Sequence, residues 1–274
     1  MTAHPAAIPA SALVAPPPGQ PRRAFVAQLM GLPVSGPVRG PAAQGPDAAA
    51  GVEALFQALR ADEALFSTWQ PDSEVSRIRR GELRLEDAHP RVRHVAALCE
   101  EASRRTGGSF DAWLPGEGGV RVFDPTGLVK GWAVEQATRA LVAQLAGPAA
   151  HDVLVAAGGD VLVHCERTDT PDWRVAVEDP RDRSRTVATV PLRRGAVATS
   201  GTAARGDHIV DPATGAAPSG LLSATVVGPE LTWADVYATA AFVRGDGALA
   251  WLAGLPGHAA VVVTTDGAVR TTAA

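Results

Sequence analysis

Residues 124–165 read DPTGLVKGWAVEQATRALVAQLAGPAAHDVLVAAGGDVLVHC. The first half predicts a helix from Leu128 to Leu145, preceded by the turn formers Asp124-Pro125-Thr126-Gly127 and followed by Gly147. At Asp152 the texture changes to short aliphatic, β-branched runs, DVLVAA and VLVHC, parted by a Gly-Gly pair. Upstream of this switch the chain reads as helix. Val52, Leu55, Phe56 and Leu59 fall at helical spacing within residues 48–65. A second helix is predicted from Pro90 to Thr106, with Val92, Val95 and Cys99 on one face and Gly107 ending it. Downstream come further strands, WRVAVED, TVATVPL and SATVV, and a helix from Ala234 to Phe242 that Thr232 can cap. Asp266-Gly267 marks a hairpin turn in the closing AAVVVTTDGAVRTTA. Helices first and clustered strands later predict an α+β fold rather than a doubly wound parallel sheet.

Composition narrows the function. The chain has 274 residues, 46% of them hydrophobic and 20% charged, and a net charge of −4. That is an ordinary globular composition, with no basic field for a nucleic-acid backbone and no apolar run of membrane-spanning length. Two cysteines are too few for a disulfide scaffold and suit a reducing compartment. Residues 1–23 read as a disordered Ala/Pro-rich tail and residues 24–274 as a single domain. Prolines interrupt the only apolar run near the start that resembles a secretory signal, so the expected location is the cytoplasm.

The basic residues are 24 arginines and one lysine, Lys130. A coding bias toward arginine explains the imbalance, yet the surviving ammonium is the compact charge that enters a tight site where a guanidinium does not fit. Lys130-Gly131 is expected in the first turn of its helix, where free N–H groups favour phosphate. It is not a Walker loop, because the glycine spacing is wrong and no Ser or Thr follows the lysine. AAGGD (156–160) reads first as a hairpin turn, and second as backbone donors beside an acid suited to a metal or an amine. In WADVYATAAF (233–242), Asp235 and Thr239 stand four apart on one helical face and offer hard oxygens suited to Mg²⁺. The plainer reading has Thr239 bonded to its own helix and Asp235 exposed. His208, in the loop-like run before DPATG, is structural or catalytic. Tryptophan and phenylalanine in FSTWQPDSEVSR and TGGSFDAWLPG either stack on a flat heterocycle or lid the core.

Together and in order, FSTWQPDSEVSR, GGSFD, DPTGLVKGWAVE, AAGGD, TSG followed by HIVDPATG, and ADVYATAAF resemble the FAD:protein FMN transferases, the ApbE-type flavin transferases. The likeness runs from about Gln28 to Gly247. It implies antiparallel sheets flanked by helices, with the active site in a cleft between sub-domains. It further implies Mg²⁺-dependent cleavage of FAD, attachment of FMN to a Thr or Ser of an acceptor protein, and release of AMP. By position, Met30, Trp69, Ser109, Phe110, Asp111, Asp124, Lys130 and Ile209 would contact FAD. Asp235 and Thr239 would hold the metal by side chains, with the carbonyls of Gly127 and Ala238. His208 matches the histidine of the transfer step, and either His208 or Asp235 takes the hydroxyl proton. Arg79 stands where many relatives carry asparagine, and Trp69 where tyrosine is usual. The rival readings are an FAD diphosphatase using water as nucleophile, a flavin-binding protein without turnover, and another metal-dependent phosphotransferase.

Overall fold

The computed structural model describes residues 21–147, 150–202 and 209–272; of the tail expected over residues 1–23, residues 1–20 lie outside them, and Arg22 and Arg23 belong to the first strand instead. The chain opens on a hairpin of β1 (Arg22–Leu29) and β2 (Leu32–Arg39), in which Arg22 and Arg23 join the strand by pairing with Arg39 and Val38. Its two-residue turn, Met30-Gly31, has both residues left-handed, with φ of 54° and 69°, which matches the twist of a tight hairpin. Next come α1 (Pro46–Phe66), α2 (Glu74–Arg79), α3 (Pro90–Arg105), the hairpin β3 (Trp113–Pro115) and β4 (Arg121–Phe123), and α4 (Thr126–Leu145). Five strands follow: β5 (Asp152–Ala157), β6 (Asp160–Cys165), β7 (Trp173–Asp179), β8 (Asp182–Leu192) and β9 (Arg194–Gly201). The chain closes through β10 (Leu221–Gly228), α5 (Leu231–Arg244), α6 (Ala248–Leu252), β11 (Ala259–Thr264) and β12 (Val269–Thr271).

Eight strands form one sheet in the order β1-β2-β5-β6-β9-β10-β11-β12, every neighbouring pair antiparallel. The β3–β4 and β7–β8 hairpins stand outside it. The expected α+β class with antiparallel sheets and flanking helices is what the chain adopts. Residue alternation in β5 shows how the layers are made. Val153, Val155 and Ala157 enter the main core with α1, α4 and α5, while Leu154 enters a second cluster with Val163, Trp173 and Val197. The β7–β8 hairpin thus covers the sheet face opposite the helices. Burial on both faces is why DVLVAA reads as an unbroken apolar run, and each fully buried Val or Leu contributes roughly 1.5–3 kcal/mol.

A buried ion pair fastens the two layers. Arg39 Nε lies 2.8 Å from Asp152 Oδ2, the side chains 3% and 0% exposed. The Thr170 hydroxyl donates to the same oxygen at 2.6 Å, and the Glu166 and Arg167 amides donate to the other at 3.0 Å. The guanidinium also lies 4.0 Å above the Trp173 ring. The pair is fully hydrogen-bonded, the condition under which a buried charge pair is tolerated.

Two local expectations are corrected. Thr232 does not cap α5; Glu230 stands at that position, and the Thr232 amide and hydroxyl donate to Glu135 Oε2 on α4 at 2.9 and 2.6 Å. That bond satisfies a donor of the first helical turn from a neighbouring helix instead. Helix α4 begins at Thr126, two residues before Leu128, so Lys130 lies beyond the first turn and away from the free amides.

Candidate functional site

Helices α4 and α5 pack on each other and on β6 and β9. They come close at Gly131, where a Cβ would fall 3.0 Å from Asp235 Cβ and 3.1 Å from the Leu231 carbonyl. The missing side chain lets the two helices bring Lys130 and Asp235 together. Lys130 Nζ lies 3.3 Å from Asp235 Oδ1 and 2.5 Å from Asp160 Oδ2. Asp160 reaches this point because Gly158 and Gly159, with φ of 58° and 102°, turn β5 into β6 in two residues. Its second oxygen accepts the Thr199 amide of β9 at 3.1 Å. Next along β9, the Ser200 hydroxyl lies 3.0 Å from that of Thr239 on α5.

The group is charged and dry. The Asp160 and Asp235 side chains are 0% and 3% exposed and Lys130 is 20% exposed, so one ammonium faces two buried carboxylates. Burial pushes the Asp235 carboxyl up to about 7; the Asp160 charge adds to the rise and the Lys130 ammonium opposes it. Asp235 Oδ2 is buried with no hydrogen-bond partner among the described residues. An unpartnered carboxylate oxygen in a net-negative pocket has the chemistry of a cation ligand. The plainer reading of WADVYATAAF does not hold, since Asp235 is buried and Thr239 bonds to Ser200 rather than only to its own helix.

The other predicted residues stand at several places in the fold. Phe110 is buried in the turn after α3, its amide donating to Thr106 Oγ1 at 3.1 Å, and a Cβ on Gly127 would come within 3.1 Å of its ring. Ser109 precedes it, with its amide on the Thr106 carbonyl at 3.3 Å. Asp111 accepts the Trp113 amide at 2.8 Å and pairs with Arg121 at 2.6 Å. Asp124 precedes α4 and accepts the amide and hydroxyl of Thr126 at 3.1 and 2.6 Å. Ala238 is fully buried in α5. Met30 sits at the β1–β2 turn, and both it and Ile209 lean on the main core. Trp69 is 92% exposed. His208 lies outside the described residues.

The model of the ApbE family matches residues 30–115 and 117–263. The chain belongs to the ApbE family. Among solved structures, the ApbE protein of Thermotoga maritima superposes with a TM-score of 0.79 at 21% identity, covering 92% of this chain and 97% of that one. The flavin transferase ApbE of Vibrio cholerae gives a TM-score of 0.75 at 20% identity, with 92% and 97% covered. At these identities the likeness is one of fold. A curated FAD:protein FMN transferase of Rhodobacter capsulatus is 34% identical over 140 residues, 47% of this chain. That match spans about a quarter (26%) of the relative's length.

Within this ApbE-family fold the residues suit a hard divalent cation. Asp235 Oδ2 is the orphaned buried donor, the Thr239 hydroxyl is four residues along, and every donor is oxygen. Among the described residues no cluster of three or more His, Cys, Asp or Glu side chains forms a metal cage; Mg²⁺ needs only one or two carboxylates and keeps places for water and phosphate. Sequence reasoning gave Asp160 only as the second reading of AAGGD, an acid suited to a metal or an amine, and did not single out Ser200. Asp160 had a signal in the acid ending AAGGD; Ser200, in the small polar TSG, had none.

Proposed function

We propose that this chain is a Mg²⁺-dependent FAD:protein FMN transferase. It breaks the diphosphate of FAD, forms a phosphoester between FMN and a Thr or Ser of an acceptor flavoprotein, and releases AMP. One observation carries the reading: the buried Lys130–Asp160–Asp235 group with its unpartnered Asp235 oxygen, set in an ApbE-family fold. The Asp235 and Thr239 side chains, with the Gly127 and Ala238 carbonyls, would hold Mg²⁺, which when bound supplies Lewis-acid neutralisation of the diphosphate. Trp69 offers an exposed indole for stacking on a flat heterocycle. Met30, Ser109, Phe110, Asp111, Asp124 and Ile209 complete the FAD contacts. Lys130, its side chain 20% exposed, would place a point charge beside the reacting bond. Holding FAD and the acceptor hydroxyl together supplies much of the rate. The hydroxyl proton passes to His208 or Asp235.

The reading treats residues 24–274 as one catalytic domain working in the cytoplasm. One observation supports that compartment: Cys99 and Cys165 are buried and free thiols.

The test is incubation of the protein with FAD and Mg²⁺, with and without a domain bearing an acceptor threonine, read by mass spectrometry. A covalent FMN adduct together with AMP, lost on chelation of Mg²⁺ or in Asp235→Ala, is the expected result. AMP and free FMN with no adduct on any acceptor tried would replace the transferase by a diphosphatase. Unaltered FAD would leave a flavin-binding protein.

A further inference from the structure

We infer that Arg79 is a positioning residue for the FAD site: it fixes the Asp124 carboxylate and ties the loop bearing Trp69 to the start of α4. The inference rests on the FAD reading above. Arg79 is the last residue of α2, and its Nη1 lies 3.1 Å from Asp124 Oδ2, 45 residues along the chain. The other oxygen of that carboxylate is taken by the amide and hydroxyl of Thr126. The Asp124 backbone is held as well, its amide donating to the Ala112 carbonyl at 2.6 Å. With both oxygens engaged, one by Arg79 and the other by Thr126, the carboxylate is held in one orientation.

The Trp69 loop is built as an extension of α2. Ser67 Oγ accepts the amides of Trp69 and Gln70 at 3.2 and 3.1 Å, and the Ser67 carbonyl accepts the hydroxyls of Ser73 and Ser76. Arg80 donates to the Pro71 carbonyl at 2.8 Å. Loop and helix therefore move as one piece. Glu74 anchors the near end of α2 by accepting the His89 amide at 2.6 Å, and Arg79 anchors the far end on Asp124. Trp69 itself, 92% exposed, has little packing of its own to place it, so the indole stands where this brace puts it. The pair is 33% and 23% exposed. Ion pairs that accessible add little to folding stability, so the effect of this one belongs to ligand binding.

The experiment measures FAD affinity by flavin-fluorescence titration, together with steady-state kinetics and melting, for the wild type, Arg79→Ala, Arg79→Lys, Asp124→Asn and the double variant Arg79→Ala/Asp124→Asn. Arg79→Ala should raise Kd and KM for FAD about three- to tenfold, with kcat within about twofold and melting within about 2 °C. Arg79→Lys should recover part of the affinity, and the double variant should bind no more weakly than Asp124→Asn alone. A wild type that binds FAD while Arg79→Ala binds it equally well overturns this inference alone. So does a parallel fall in kcat and stability, the mark of a structural role. A wild type that does not bind FAD overturns the underlying reading and this inference with it.

Discussion

Replacing Lys130 with methionine keeps the length of the side chain and removes its charge. Two buried carboxylates then face each other without the ammonium that lies 2.5 Å from one and 3.3 Å from the other. Removing one partner of a buried pair destabilises by about 3–5 kcal/mol. The low end applies here, because the Asp235 carboxyl already titrates at about 7 and takes up a proton at little further cost. The Asp160 charge keeps one compensating donor, the Thr199 amide at 3.1 Å. A loss of about 3 kcal/mol in a chain of this size lowers the melting temperature by roughly 6–12 °C. The assay is thermal and urea unfolding of metal-free protein near neutral pH, with Lys130→Arg alongside. The planar guanidinium carries the charge but not the shape, so it should restore less than half of the loss. A Lys130→Met protein that melts within about 2 °C of the wild type, or above it, would refute the argument that this ammonium neutralises the group.

Gly131→Ala should gain about 1 kcal/mol of helix propensity and lose more from the 3.0 Å approach of its Cβ to Asp235; urea unfolding should show a net loss of about 1 kcal/mol, and a net gain would mean that α4 and α5 part freely. Burial raises the Asp152 carboxyl, but the Thr170 hydroxyl, the Arg167 amide and Arg39 together hold it below its ordinary value. The protonated, unfolded-like form is therefore disfavoured in the native state, and this stability is present above the ordinary carboxyl range and lost as pH falls through the lower folded value. The gap in stability between wild type and Asp152→Asn should accordingly narrow below about pH 4 in urea titrations; an unchanged gap at low pH would contradict it. Trp69→Ala should leave stability within about 0.5 kcal/mol, because the indole is 92% exposed, yet weaken FAD binding by roughly two- to tenfold in a fluorescence titration. Unchanged affinity would remove Trp69 from the site.

The strands easiest to read in the sequence carried a clear apolar pattern. DVLVAA coincides with β5 because burial on both faces leaves an unbroken apolar run, and WRVAVED with β7 because its buried residues alternate with more exposed ones. β9, RGAVATSG, escaped notice because its Gly, Ala and Ser residues have weak strand preference; it is held by neighbours on either side, β6 and β10. β8 begins at Asp182, well before TVATVPL, since pairing with β7 carries charged, exposed residues into the strand. In the site, Lys130 was legible as the one lysine, and Asp235 and Thr239 through their helical spacing. Asp160 was legible only as the second reading of its motif, because AAGGD is also a true hairpin turn. The same two glycines that make the turn deliver the carboxylate, and only the position of α4 reveals its partner.

The place of each hairpin in the sheet sets how readily it opens. β5, β6 and β9 have a neighbour on either side and apolar layers above and below, whereas among the described residues β1 and β12 each have one neighbouring strand. Local opening starts at such edges and reaches the centre last. Asp160 hangs from the protected centre, and Met30 from the turn of the outermost hairpin. The charged group is therefore already rigid before any ligand arrives. The Met30 turn hangs from the margin of the same sheet, where local opening starts.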